Sequence, residues 1–258
     1  MNVKLPFLPD RTVRPRKNGV TMVMDKGLGI KQAEMFIDSC ADYVDLVKLG
    51  FGTSVITPNL VEKIKLYKDA GFKVYLGGTL FEAFIIRDKF EDYIKFIDKL
   101  KLDTAEVSDG SIVMDHGKKC EYINKLSKNF TVLSEVGSKE EGIIIHPNKW
   151  TSMMNKELEA GSWKVIAEAR ESGNVGIYHR NGSPHTMLMN KITAKVKQEN
   201  ILWEAPQKSQ QVWFIKQFGS NVNLGNIAFE EVIPLETLRL GLRGDTFFTF
   251  LPKEKQVE

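Results

Sequence analysis

The sequence predicts an α/β fold, a single closed (β/α)8 barrel of eight parallel strands of the TIM type, and three observations carry that prediction. Short β-branched or apolar runs recur along the chain and end in or beside Gly, Asp or Glu. Lys/Glu-rich stretches with apolar residues three or four apart separate them. Strand and helix in alternation require right-handed parallel crossovers, and eight such units close on themselves. A length of 258 residues suits one such barrel over residues 1–258. A doubly wound open sheet is the structural rival.

In chain order the strand runs are VTMVMD (20–25), YVDLVKLG (43–50), KVYLGG (73–78), TAEVSDG (104–110), TVLSEVG (131–137), WKVIAEA (163–169), ILWEAP (201–206) and VNLGNI (222–227). The helix-period segments are IKQAEMFIDSCADY, NLVEKIKLYKDAG, KFEDYIKFIDKLK and KKCEYINKLSK. Residues 1–19, rich in Pro, Arg and Lys, stand apart as an extension expected to cover one end of the barrel. The Gly/Asn/His-rich stretch GNVGIYHRNGSPH (173–185) follows the sixth run, where a barrel carries an active-site loop.

Composition excludes more than it selects. Hydrophobic residues at 42% and charged residues at 27% rule out a largely disordered or collagen-like chain. With 36 basic against 33 acidic side chains there is no broad basic face for nucleic acid, while a small anion remains compatible. Cys40 and Cys120 lie far apart and outside any CxxC spacing, so neither a disulfide framework nor a zinc site is suggested, and a reducing cytoplasm is the expected setting. The N-terminal residues lack a signal-like apolar stretch and no run has the length of a membrane span. A homo-oligomer remains open.

In a barrel the chemistry belongs at the C-terminal ends of the strands. Those ends carry Asp25 and Lys26, Lys48, Gly77 and Gly78, Glu106 with Ser108 and Asp109, Glu135 with Lys139 beyond it, Glu168 and Arg170, Glu204, and Asn223 and Asn226. Residues two apart share a strand face, so Leu133, Glu135, Gly137 and Lys139 keep one parity, as do Ile166, Glu168 and Arg170. Several carboxylates in one barrel mouth require cations: a metal, Lys48, Lys139 or Arg170. Oxygen-only ligands without a His/Cys cluster favour Mg²⁺. Any one such Glu alone is more often a helix cap or a surface ion pair, and repetition at four strand ends is what shifts the balance.

In EAPQKSQQVWFIKQFG (204–219), Gln207, Lys208 and Ser209 stand where a helix begins, a natural anion site, although Ser209 could equally be a plain N-cap. GLG at 27–29 is no dinucleotide fingerprint and no Walker motif occurs. His116, His146, His179 and His185 fall in connecting segments and read as solvated or loop-structuring.

The strand-end motifs TMVMDKG (21–27), VKLGFGTS (47–54), GGTLFE (77–82), EVSDG (106–110), SEVGSK (134–139), EARESG (168–173), EAPQKSQQ (204–211), SNVNLGNI (220–227) and LETLRLGLRGDTF (235–247) together resemble the phosphosulfolactate synthase family over about residues 14 to 250. The segments 140–154 and 174–186 match none of its motifs. The resemblance implies a cytoplasmic Mg²⁺-dependent addition of sulfite to phosphoenolpyruvate on an α/β barrel. The product, (2R)-2-phospho-3-sulfolactate, leads to coenzyme M in archaea and to sulfolactate in bacteria. It implies Lys139 as the general acid that protonates an enediolate-like intermediate. Around it we expect Glu106, Glu135 and Glu168 on Mg²⁺, Lys48 and Arg170 in catalysis, and Lys26, Lys208, Ser209 and Asn226 on the substrate. Two alternatives stand: a barrel aldolase with a Schiff base at Lys48 or Lys139, and a non-catalytic relative of the plant branch associated with heat tolerance.

Overall fold

A computed structural model of the chain describes residues 2–137, 146–170 and 172–256. The order of elements is β1 (Thr21–Asp25), α1 (Ile30–Cys40), β2 (Leu46–Leu49), α2 (Leu60–Asp69), β3 (Lys73–Leu76), α3 (Gly78–Ile85), α4 (Phe90–Lys99), β4 (Thr104–Val107), α5 (His116–Ser127), β5 (Thr131–Val136), α6 (Pro147–Glu159), β6 (Ser162–Ala167), α7 (Thr186–Thr193), β7 (Ile201–Glu204), α8 (Lys208–Phe218), β8 (Leu224–Ile227) and α9 (Val232–Arg239). The eight strands pair in parallel in the order β3-β2-β1-β8-β7-β6-β5-β4. The barrel is nearly closed, and across the remaining seam the Gly78 N–H donates to Glu106 Oε1 at 2.6 Å.

Strand period 2 sorts the side chains into two cores. Outward residues such as Val23, Val47, Val74, Val107, Val165 and Trp203 pack against the helices. Inward residues Val20, Met22, Leu46, Tyr75, Leu133, Ile166 and Leu202 form a separate plug inside the barrel. Four strands repeat one pattern above that plug: Leu46 is followed two positions later by Lys48, Leu133 by Glu135, Ile166 by Glu168 and Leu202 by Glu204. Two residues of strand advance about 6.6 Å, so the apolar floor and the charged ring above it are successive layers of the same faces.

The helices follow the apolar spacing seen in the sequence, with Tyr93 and Ile97 buried on α4 and Ala33, Phe36 and Cys40 on α1. Four helices, α3, α6, α7 and α9, lie outside the helical segments read from the sequence. The run KVYLGG stops as strand at Leu76, and Gly77 caps α3, which begins at Gly78. Part of the segment 140–154 is helix: His146 accepts from the Asn148 N–H and Pro147 occupies the first turn of α6, so this histidine is a cap.

The segment before β1 crosses the N-terminal end of the barrel. Arg11 pairs with Glu236 at 2.8 Å, Arg14 donates to the carbonyls of Ala41 and Ala70, and Arg16 reaches Asp45 at 3.3 Å. Among the described residues no helix is long and apolar enough to cross a membrane.

Candidate active site

The charged ring lies at the C-terminal end, as strand polarity requires. Lys48 projects into it from β2, Glu106 from β4, Glu135 from β5 and Glu204 from β7, while Glu168 follows β6 directly; all are buried. The Lys48 Nζ stands 3.2 Å from Glu106 Oε1, 3.4 Å from Glu204 Oε1 and 3.5 Å from Glu135 Oε2. Oxygens of Glu135, Glu168 and Glu204 come within 4.8 Å of one another.

Backbone hydrogen bonds aim these carboxylates. Glu204 Oε2 accepts from the Ala169 N–H at 3.0 Å, and Glu168 Oε1 accepts from the Arg170 N–H at 2.7 Å. The Glu168 N–H in turn donates to the Val136 carbonyl at 3.0 Å, which joins the ends of β5 and β6. Burial alone would lower the Lys48 pKa, but the negative charges of Glu106, Glu204 and Glu135 override it and hold the ammonium well above the ordinary lysine value.

Above the ring opens a cavity of about 390 Å³ lined by Met24, Phe51, Gly77, Gly78, Thr79, Arg170, Ser172 and Asn226 as well as the charged residues. Phe51, Arg170 and Asn226 all have positive φ, a conformation costly for residues other than Gly and one that clusters at ligand sites. Asn226 is buried, and its Oδ1 has no hydrogen-bond partner among the described residues. A buried carbonyl oxygen left this way marks a place for a ligand or water.

The structure brings together Lys48, Glu106, Glu135, Glu168, Arg170 and Asn226 from the expected set. Glu204, read at a strand end but left out of the expected metal set, replaces Glu106 in the close carboxylate group. Glu106 turns instead toward the Gly78 N–H and Lys48. Lys208 and Ser209 are exposed and outside the cavity, because α8 begins beyond the rim; Lys208 pairs with Asp245 at 3.0 Å. Lys26 is exposed and likewise outside the lining, and its neighbour Asp25 faces away from the barrel, held by Lys63 at 2.7 Å and Tyr67 at 3.0 Å. Lys139 lies outside the described residues. Sequence reasoning missed Phe51, whose signal would have been the Gly50-Phe51-Gly52 setting just past a strand end.

Residues 9–245 match the family described as (2R)-phospho-3-sulfolactate synthase (ComA). The chain belongs to the phosphosulfolactate synthase family. It is 43% identical over 244 residues to the phosphosulfolactate synthase of Methanothermobacter thermautotrophicus, with 92% of this chain and 95% of that one covered. It is 44% identical over 237 residues to the phosphosulfolactate synthase of Methanocaldococcus jannaschii, covering 90% and 94%. Membership in the phosphosulfolactate synthase family makes the chain an enzyme, a carbon–sulfur bond-forming lyase. Among solved structures, 3-hexulose-6-phosphate synthase from Salmonella typhimurium superposes with a TM-score of 0.53 at 14% identity, covering 87% of this chain and 100% of that one, which shows the barrel alone.

Proposed function

We propose that the protein adds sulfite to phosphoenolpyruvate at the mouth of the barrel, giving (2R)-2-phospho-3-sulfolactate, with Mg²⁺ held by Glu135, Glu168 and Glu204. The observation that carries this reading is the convergence of those three carboxylates within 4.8 Å beside a cavity, in a chain of this family. The donor set is oxygen only, which fits a hard divalent cation, and carboxylates this close in a buried setting repel unless cations are shared among them. When bound, the cation supplies stabilisation of the negative charge that develops on the substrate carboxylate.

The chain's own residues do the rest. Lys48 stays protonated between three carboxylates, so it neutralises and orients them. An ammonium held in this way is no nucleophile at neutral pH, which weighs against a Schiff base at Lys48. Arg170 and Asn226, on the cavity wall, offer a cation and amide groups to phosphate and carboxylate oxygens. The exposed Lys26, Lys208 and Ser209 have no contact with substrate in this reading. The sulfur lone pair of sulfite forms the bond to C3, the C2–C3 π pair shifts toward C1, and C2 takes a proton from Lys139, which regains one from solvent, while the phosphate ester stays intact. The apolar plug beneath the ring closes the site from below.

Phosphorus NMR of the protein with phosphoenolpyruvate, bisulfite and Mg²⁺ should show a new phosphate-ester resonance that needs both bisulfite and metal. Its absence, or a borohydride-trapped adduct with a carbonyl substrate, overturns the reading. Lys139→Ala should lose about 100-fold or more in turnover, and a loss of only a few-fold removes the acid role.

A further inference from the structure

A second group of buried charges sits behind the active site, between the barrel wall and its helices. Lys119 of α5 is fully buried, as is Glu157 of α6. The Lys119 Nζ stands 2.9 Å from Glu157 Oε1 and 2.8 Å from Asp109 Oδ1, and also donates to the backbone carbonyl of Glu135. His116, the first residue of α5, brings its Nε2 to 3.1 Å from the same Glu157 oxygen. One ammonium therefore ties together the loop after β4, the end of β5 and two helices.

Placing a lysine and a glutamate in a protein interior is costly, and apolar residues of similar size would often hold helices to a sheet as well or better. What apolar residues could not supply is a donor to the Glu135 carbonyl. That carbonyl belongs to the residue whose carboxylate lies 3.5 Å from Lys48 and within 4.8 Å of Glu168 and Glu204. The side chain of Glu135 enters the ring while its backbone is gripped from the opposite face of the wall.

We infer that Lys119, braced by Glu157 and Asp109, is a positioning residue that sets the orientation of Glu135 in the cation site. This rests on the reading of Glu135, Glu168 and Glu204 as the metal ligands. Groups that orient ligands from behind are commonly worth about 10- to 100-fold in metal affinity. Lys119 touches no substrate, so its removal acts on metal binding and leaves the substrate KM at saturating metal near the original value.

The test uses Mn²⁺ as probe, its binding followed by electron paramagnetic resonance and by titration calorimetry. Lys119→Met alone strands the Glu157 charge, so the decisive variant is Lys119→Met/Glu157→Met, which removes both charges at similar volume. Asp109→Asn, on the more exposed flank, weakens the same brace while leaving the buried pair in place. The double variant, with cooperative thermal unfolding intact, is expected to bind Mn²⁺ about 10- to 100-fold more weakly than wild type, and Asp109→Asn a few-fold more weakly. Binding within two-fold of wild type in the folded double variant, or in Asp109→Asn should the double variant not fold, overturns the inference. Failure of wild type itself to bind Mn²⁺ overturns the metal reading and this inference with it, a different result from wild-type binding that the variants share.

Discussion

At the N-terminal end of the barrel, buried cations such as Arg239 and Lys164 rest on backbone carbonyls, whereas inside the C-terminal mouth carboxylates gather around Lys48 beside a cavity. Arg239, fully buried, donates to the carbonyls of Ser220 at 2.7 Å and Val222 at 2.6 Å, and Lys164 donates to those of Lys17 and Glu199. These contacts finish the strand ends and the incoming N-terminal segment. At the other end Glu135, Glu168 and Glu204 converge with Lys48 on open volume. Buried charge that ends on fixed backbone oxygen holds a fold together, and buried charge that converges on a cavity is the pattern of a functional site.

The largest expected effect separates the two ends by activity. Glu168→Gln or Glu204→Gln should lower kcat/KM on the order of 100-fold or more, while the metal-free unfolding midpoint holds or rises because like charges have been diluted. Retained activity in both variants would mean that this end is not the catalytic one. Arg239→Met should do the reverse. Leaving several carbonyls without a donor should cost roughly 2–5 kcal/mol of stability in denaturant titration, with kcat/KM unchanged at temperatures where the variant is folded.

A subtler contrast concerns pH. Burial brings the Lys164 pKa down to about 8 from 10.5, with the charges of Glu199 and Asp45 pulling the other way. Between those two values the unfolded chain keeps a proton that the folded chain has released, so the stability contributed by this lysine rises with pH across that window. Below pH 8 both states hold the proton and the burial penalty is present in full. The unfolding midpoint of wild type relative to Lys164→Met should therefore climb from pH 8 to pH 10, and a flat difference would place the amine in a less desolvating setting. The smallest effect is reserved for Lys208→Ala, which removes an exposed pair with Asp245. It should leave the unfolding midpoint essentially unchanged and the phosphoenolpyruvate KM within two-fold, whereas a large KM increase would bring the rim of α8 back into the substrate site.

All eight strands were legible because each carries its own local evidence. An apolar residue followed two positions later by a charged one, as in Leu133 and Glu135 or Leu202 and Glu204, already states which face is inward and how far up the charge stands. α3 was not legible, since GGTLFE begins with two glycines that read as the end of a strand, and only the bond from Gly78 to Glu106 explains why the chain turns there. Lys119 was hidden for a related reason. Within KKCEYINKLSK it looks like any lysine of a solvated helix, and nothing local says that it is fully buried against Glu157.

The sequence by itself determined the succession of strands and helices, the inward parity of the charged residues and the family, because these depend on neighbours a few positions apart or on motifs read in order. Tertiary structure alone decided that Glu204 rather than Glu106 joins Glu135 and Glu168, that Lys208 faces Asp245 outside the rim, and that Lys119 grips the Glu135 backbone. Each of those outcomes is a distance between residues remote in the chain. Such distances follow from the closure and stagger of the barrel, and no periodicity within a single strand encodes them.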